Sequence, residues 1–152
     1  MSDSRRIRSL TTNGEVLRSI YADAGPFIAL FNRDDRDHDE ALRGFRQLHE
    51  GRVRVIAPLP VVFEVYKWLR YKVSADAARS ALVEMRRSTQ IVYPDADDLA
   101  RAASTVQLMP SWNGSLEDAL LARTALAMRI PLWTLNYRDF TAFRDLPFWN
   151  PR

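Results

Sequence analysis

Short apolar, β-branched runs alternate with longer helical segments along nearly the whole chain, and few folds accept that pattern. VLRSIYA (16–22), VRVIAP (53–58), IVYP (91–94) and PLWTL (131–135) read as strands. GPFIALFN (25–32) reads as a short helix with Pro26 in its first turn, where a missing N–H costs nothing. EALRGFRQLHE (40–50) sets Ala41, Leu42, Phe45 and Leu48 on one face and ends at Gly51. PVVFEVYKWLRYKV (60–73) opens at Pro60, SADAARSALVEMRRS (74–88) is capped by Ser74, and DADDLARAASTVQLM (95–109) carries acids in its first turn. SWNGSLEDALLARTALAMR (111–129) gives a loop and a long helix; NYRDFTAF (136–143) gives a loop with a short one. Strands alternating with helices imply an α/β fold, with a mostly parallel central sheet flanked by helices.

The chain has 152 residues, the size of one ordinary domain, with 47% apolar and 27% charged residues. No repeat or linker interrupts it. We expect a polar extension over 1–15 and a single domain over 16–152. No apolar run approaches the ~18 residues that span a bilayer. The start, MSDSRRIRSLTTNGE, lacks the apolar segment of a signal peptide, so no membrane association is expected. The absence of cysteine excludes disulfides, thiolate metal sites and thiol nucleophiles, and fits a reducing cytoplasm. Net charge is +3, and of 22 basic residues only Lys67 and Lys72 are lysine. That permits an anionic partner without requiring one.

Sites in open α/β sheets form beyond the carboxyl ends of the strands. Asp23 directly follows the first strand, and Glu64 lies early in the helix after the second. Asp118 is in the first turn of the helix before the last strand, Asn136 follows that strand, and Asp139 comes three residues later. Each has an ordinary role open to it. Asp23 could cap a helix, Ser115 to Asp118 fits a capping box, Glu64 suits a helix dipole, and Asn136 and Asp139 are common in turns. So many positions converging on one sheet edge exceed what independent caps explain. Asp23 and Glu64 stand among apolar neighbours, and carboxylates without matching cations suit hard, oxygen-seeking ions such as Mg²⁺ or Mn²⁺.

In order and spacing, DAGPFIAL, PLPVVFEVYKWL and SLEDALLARTALAMRIPLWTLNYRDF resemble the PIN-domain ribonucleases, in particular the VapC-type toxins of type II toxin–antitoxin pairs. The resemblance runs from about Ile20 to Phe143. It implies a PIN-like fold and a Mg²⁺- or Mn²⁺-dependent endoribonuclease that hydrolyses RNA phosphodiester bonds. The implied catalytic group is Asp23, Glu64, Asp118, Asn136 and Asp139, with Asp23, Glu64, Asp118 and Asp139 on the metal. A bound metal lowers the pKa of its water and neutralises charge on the phosphate. The implied partners are an RNA substrate, a cognate antitoxin and a second copy in a homodimer. Two positions depart from the family pattern. Many relatives have aspartate at Asn136, so the fourth ligand and a second metal are in question, and Ala24-Gly25 replaces a hydroxyl-bearing opening.

Around an acidic pocket RNA needs cations. Arg33, Arg36, Lys67, Arg70 and Arg138 are the candidates, each equally readable as part of a solvated face. Thr134 is within reach of the pocket from the last strand. Trp112 is read as packing rather than base stacking, and His38 as part of a solvated helix start capped by Asp37. Val61, Val65, Trp68, Leu69, Leu82 and Met85 form apolar faces larger than one small sheet covers, which suggests a homodimer surface or an antitoxin groove. A phosphoreceiver or P-loop protein needs a phosphate lysine, and no lysine follows Lys72. The alternatives are a PIN nuclease of RNA processing or turnover that is not a toxin, and a catalytically impaired PIN-like binding module.

Overall fold

The computed structural model describes residues 10–152. A hairpin of β1 (Thr11–Thr12) and β2 (Glu15–Val16) leads into β3 (Ser19–Ala22), α1 (Ala24–Phe31), α2 (His38–Glu50) and β4 (Arg54–Pro58). There follow α3 (Leu59–Lys72), α4 (Ala75–Ser88), β5 (Gln90–Val92), α5 (Ala96–Leu108), α6 (Leu116–Met128) and β6 (Leu132–Trp133), then a 3-10 turn, Tyr137–Phe140. The main sheet is parallel in the order β5-β4-β3-β6.

Every strand of this sheet is covered on both faces, so side chains alternate between two cores. Ile20, Ala22, Val55 and Ala57 point into a core closed by α1 to α4, with Phe27, Leu48, Val65, Leu69 and Met85. Tyr21, Ile56 and Leu132 point the other way, against α5, α6 and the C-terminal segment, with Ala102, Leu121, Phe140 and Phe143. Trp112 belongs to this second core, edge-on to Phe140 and Phe143, as its packing role required.

The sequence expectations need four corrections. Part of the expected extension, residues 1–9, lies outside the described residues. Its end is a hairpin whose Asn13 and Gly14 both have positive φ (50° and 82°), the turn that Asn-Gly favours between twisted strands. Val61, Val65, Leu69 and Met85, read as surplus apolar surface, are core residues because α3 and α4 pack on each other and on the sheet. Asp37 holds the N-cap position of α2 without a side-chain cap bond. His38 is half-buried, its Nδ1 lying 2.7 Å from the carbonyl oxygen of Ala29.

The chain runs β3, β4, β5 to one side, then returns to place β6 on the other side of β3. The helices after β3 cover one face of the sheet; those before β6 cover the other. The strand order therefore reverses between β3 and β6, and a crevice opens at their carboxyl ends.

Candidate functional site

Asp23 directly follows β3 and caps α1. Its backbone N–H donates to the Trp133 carbonyl at 2.9 Å, continuing the β3–β6 ladder and fixing the residue at the crevice. The carboxylate is buried, with one donor on each oxygen. The Ala24 N–H donates to Oδ1 at 2.7 Å, and the Thr134 hydroxyl donates to Oδ2 at 2.8 Å. Thr134 is fully buried and also accepts the Asn136 N–H at 3.0 Å. One hydroxyl thus ties the strand-end acid to the loop after β6.

Asp118 serves two purposes. Ser115 and Asp118 form a complete capping box, each side chain accepting the other's backbone N–H at 3.1 Å. That engages Asp118 Oδ2 and leaves Oδ1 for the crevice. Because α6 runs antiparallel to the strand it precedes, its N-terminus lies at the strands' carboxyl edge. Asn136 donates its side-chain N–H to Asp139 Oδ2, so the amide supports that carboxylate. Glu64 lies in the second turn of α3 and is exposed at the mouth of the crevice.

The five residues singled out in the sequence border one open cleft of about 600 Å³, with Thr134, Ser115 and Trp68. Arg36, one of the basic candidates, joins them from the loop between α1 and α2 together with Asp35 and Asp37, two acids that reading DDRDHDE as a solvated helix start leaves out of the site. Of the other basic candidates, Lys67 lines an adjoining groove with Phe63 and Glu117. Arg70 lies over the Tyr71 ring, and Arg33 and Arg138 are exposed away from the cleft lining.

The electrostatics are those of crowded anions. Desolvation, then the Asp118 carboxylate, pushes Asp23 up to about 6, against the opposing pull of its Thr134 and Ala24 hydrogen bonds. Desolvation, then repulsion by Asp23, Asp118 and Glu117, pushes Glu64 up to about 7, even though its side chain remains open to solvent. Asp118 is raised mainly by desolvation, with its Ser115 bonds pulling the other way. Among the described residues, no ion pair involves Asp23, Glu64, Asp118 or Asp139. Nor do any three acidic or histidine side chains among the described residues converge closely enough to enclose an ion directly. The donors are all hard oxygens without matching cations. That chemistry fits a divalent cation bound partly through water.

The family model of the PIN domain matches residues 20–146, which span the strand-order reversal and its carboxylates. The chain belongs to the PIN-domain family. Its fold is similar to that of VapC20 from Mycobacterium tuberculosis, a toxin that cleaves the sarcin-ricin loop (TM-score 0.71, 18% identity, covering 82% of this chain and 95% of that one). It is also similar to a chain of VapBC2 from Rickettsia felis bound to a promoter DNA fragment (0.69, 16%, 87% and 98%). A third similar structure is VapBC-1 from nontypeable Haemophilus influenzae (0.65, 17%, 87% and 97%). No curated protein matches the chain by sequence. No helix among the described residues is long and apolar enough to cross a membrane.

Proposed function

We propose that the chain is a divalent-metal-dependent endoribonuclease and the toxin of a toxin–antitoxin pair, acting in the cytoplasm. One observation carries the reading. Carboxylates from four separate elements, none of them in an ion pair among the described residues, meet at the strand-order reversal, and one of them, Asp23, is buried and held by two hydrogen bonds. Structural similarity to toxins, including one that cleaves RNA and others from toxin–antitoxin complexes, supports the substrate class and the antitoxin partner.

Asp23, Glu64, Asp118 and Asp139 would hold Mg²⁺ or Mn²⁺. When bound, such an ion lowers the pKa of its water and offsets charge on the phosphate. The protein's part is to hold the acceptors still. Thr134 and the Ala24 N–H fix both Asp23 oxygens, Ser115 fixes Asp118, and Asn136 fixes Asp139. Arg36 at the cleft and Lys67 in the adjoining groove supply positive charge near the acids, with Arg33, Arg70 and Arg138 further out on the surface. A homodimer is also proposed, on the exposed Phe63, Tyr71 and Val83 of α3 and α4.

Expression of wild type and Asp23→Ala in a host without antitoxin tests the toxin reading. Growth arrest by wild type alone is expected, and equal growth would overturn it. In vitro, wild type should cut RNA with Mg²⁺ or Mn²⁺ and stop in EDTA. Cleavage that persists in EDTA would sink the metal mechanism. Cleavage without toxicity would mark a PIN nuclease of RNA processing, and RNA binding without cleavage an impaired module.

A further inference from the structure

Six carboxylates border the cleft, from Asp23, Asp35, Asp37, Glu64, Asp118 and Asp139, against a single guanidinium, Arg36. A polyanion entering such a cleft meets strong repulsion unless cations are placed where its phosphates lie. Arg36 is held where it can do this. The loop carrying it is fixed by local bonds: Asp35 N–H donates to the Asn32 carbonyl, Asp37 N–H to Asp35 Oδ1 at 2.9 Å, and His38 N–H to the Asp35 carbonyl. The His38 ring anchors the same turn to the end of α1 through the Ala29 carbonyl.

The side chain itself is 91% exposed, and its Nε contacts Asp37 Oδ2 at 3.3 Å. The guanidinium stands at the rim of the cleft, with Asp37 as its one ion-pair partner among the described residues. Its two terminal nitrogens have no partner among the described residues. A guanidinium engaged at Nε and open at both Nη atoms presents the planar fork that grips two oxygens of one phosphate.

We infer that Arg36 is the phosphate-gripping residue of the cleft, binding the backbone of the RNA strand through its two terminal nitrogens. The inference rests on the nuclease reading for its ligand. Arg36 acts on affinity, because it stands exposed at the rim and makes no contact with the floor acids among the described residues. Lysine at this position would supply the charge without the fork.

The test is fluorescence anisotropy of a labelled single-stranded oligoribonucleotide with Asp23→Asn protein in Mg²⁺, across a salt series. Adding Arg36→Gln should weaken binding about tenfold, as loss of hydrogen bonds to a charged group does. It should also flatten the slope of log K against log salt by about 0.7, one phosphate contact on a single strand. Arg36→Lys should keep the slope but bind less tightly, and Arg79→Gln, an exposed change on α4, should alter neither. In the cleaving protein, Arg36→Gln should raise KM with little change in kcat. Unchanged affinity and slope in Arg36→Gln, or no binding by the parent, would overturn the inference. Binding lost with Arg36→Gln while the wild type never cuts RNA would uphold it and overturn the nuclease reading instead.

Discussion

Thr134 shows how much one residue carries at this site. Its hydroxyl is fully buried, donating to Asp23 Oδ2 and accepting from the Asn136 N–H. Thr134→Val keeps the volume but removes both bonds, leaving the buried Asp23 Oδ2 and the part-buried Asn136 N–H without their partner. That should cost about 1–3 kcal/mol of stability. RNA cleavage should fall with it, because Asp23 loses one of its two fixed contacts. Thr134→Ser keeps the hydroxyl and gives up one methyl, so it should lose about 1 kcal/mol and retain most cleavage. A valine variant that melts and cuts like wild type would remove Thr134 from the positioning scheme. At this scale the sequence was largely legible. An acid directly after an apolar strand, or in the first turn of a helix before one, is a local pattern visible in a string of letters. The sharing of roles was not. Asp118 is both the capping-box acid and a cleft acid, and those two readings had looked like competitors. Asn136 supports Asp139 through its amide, a pairing that depends on how the loop after β6 folds back.

The elements were readable where periodicity carried the signal, and less so where partners decided the outcome. All four strands of the main sheet and the helices between them follow from apolar spacing and caps. The β1–β2 hairpin lies in a stretch whose polar residues read as an extension, although Asn13-Gly14 is itself a turn signal. The apolar surplus on α3 and α4 disappeared once the two helices packed together, since burial depends on what lies opposite and one helix's sequence does not state that. The packing of α2 shows the same dependence. Gly44 faces Trp133 of β6 and Pro151 of the C-terminal segment, and a Cβ there would lie 2.4 Å from Trp133 Cη2 and 2.8 Å from Pro151 Cγ. Trp133 is fully buried between Phe45 and Trp149, so it has nowhere to move. Gly44→Ala should therefore destabilise by about 1–3 kcal/mol despite alanine's better helix propensity. Thermal melting decides it, and a stabilised Gly44→Ala would show that α2 shifts freely. Because Thr134 and Asn136 follow directly on β6, the same change should lower RNA cleavage.

Across the whole molecule, the cleft acids place a pH-dependent load on folding. A carboxyl whose folded pKa is raised contributes stability that is present below its unfolded pKa and is lost as pH rises through the folded value. For Asp23 that window runs from 3.8 to about 6, and for Glu64 from 4.5 to about 7. The metal-free protein should thus lose stability between about pH 4 and pH 7 on account of these groups. Asp23→Asn isolates the Asp23 share, since asparagine has no charge to desolvate. The two proteins should melt alike near pH 4. By pH 8 in EDTA the asparagine variant should be the more stable, by up to about 3 kcal/mol. Saturating Mg²⁺ at pH 8 should reverse the order, because an ion that binds only the folded state adds stability to the protein with the fuller set of acids. Melting curves at pH 4 and pH 8, with EDTA and with Mg²⁺, check all four corners. An asparagine variant no more stable than wild type at pH 8 in EDTA would mean that Asp23 is not under electrostatic load. A wild type that gains nothing from Mg²⁺ or Mn²⁺ would mean that the load exists for some other purpose than holding a cation.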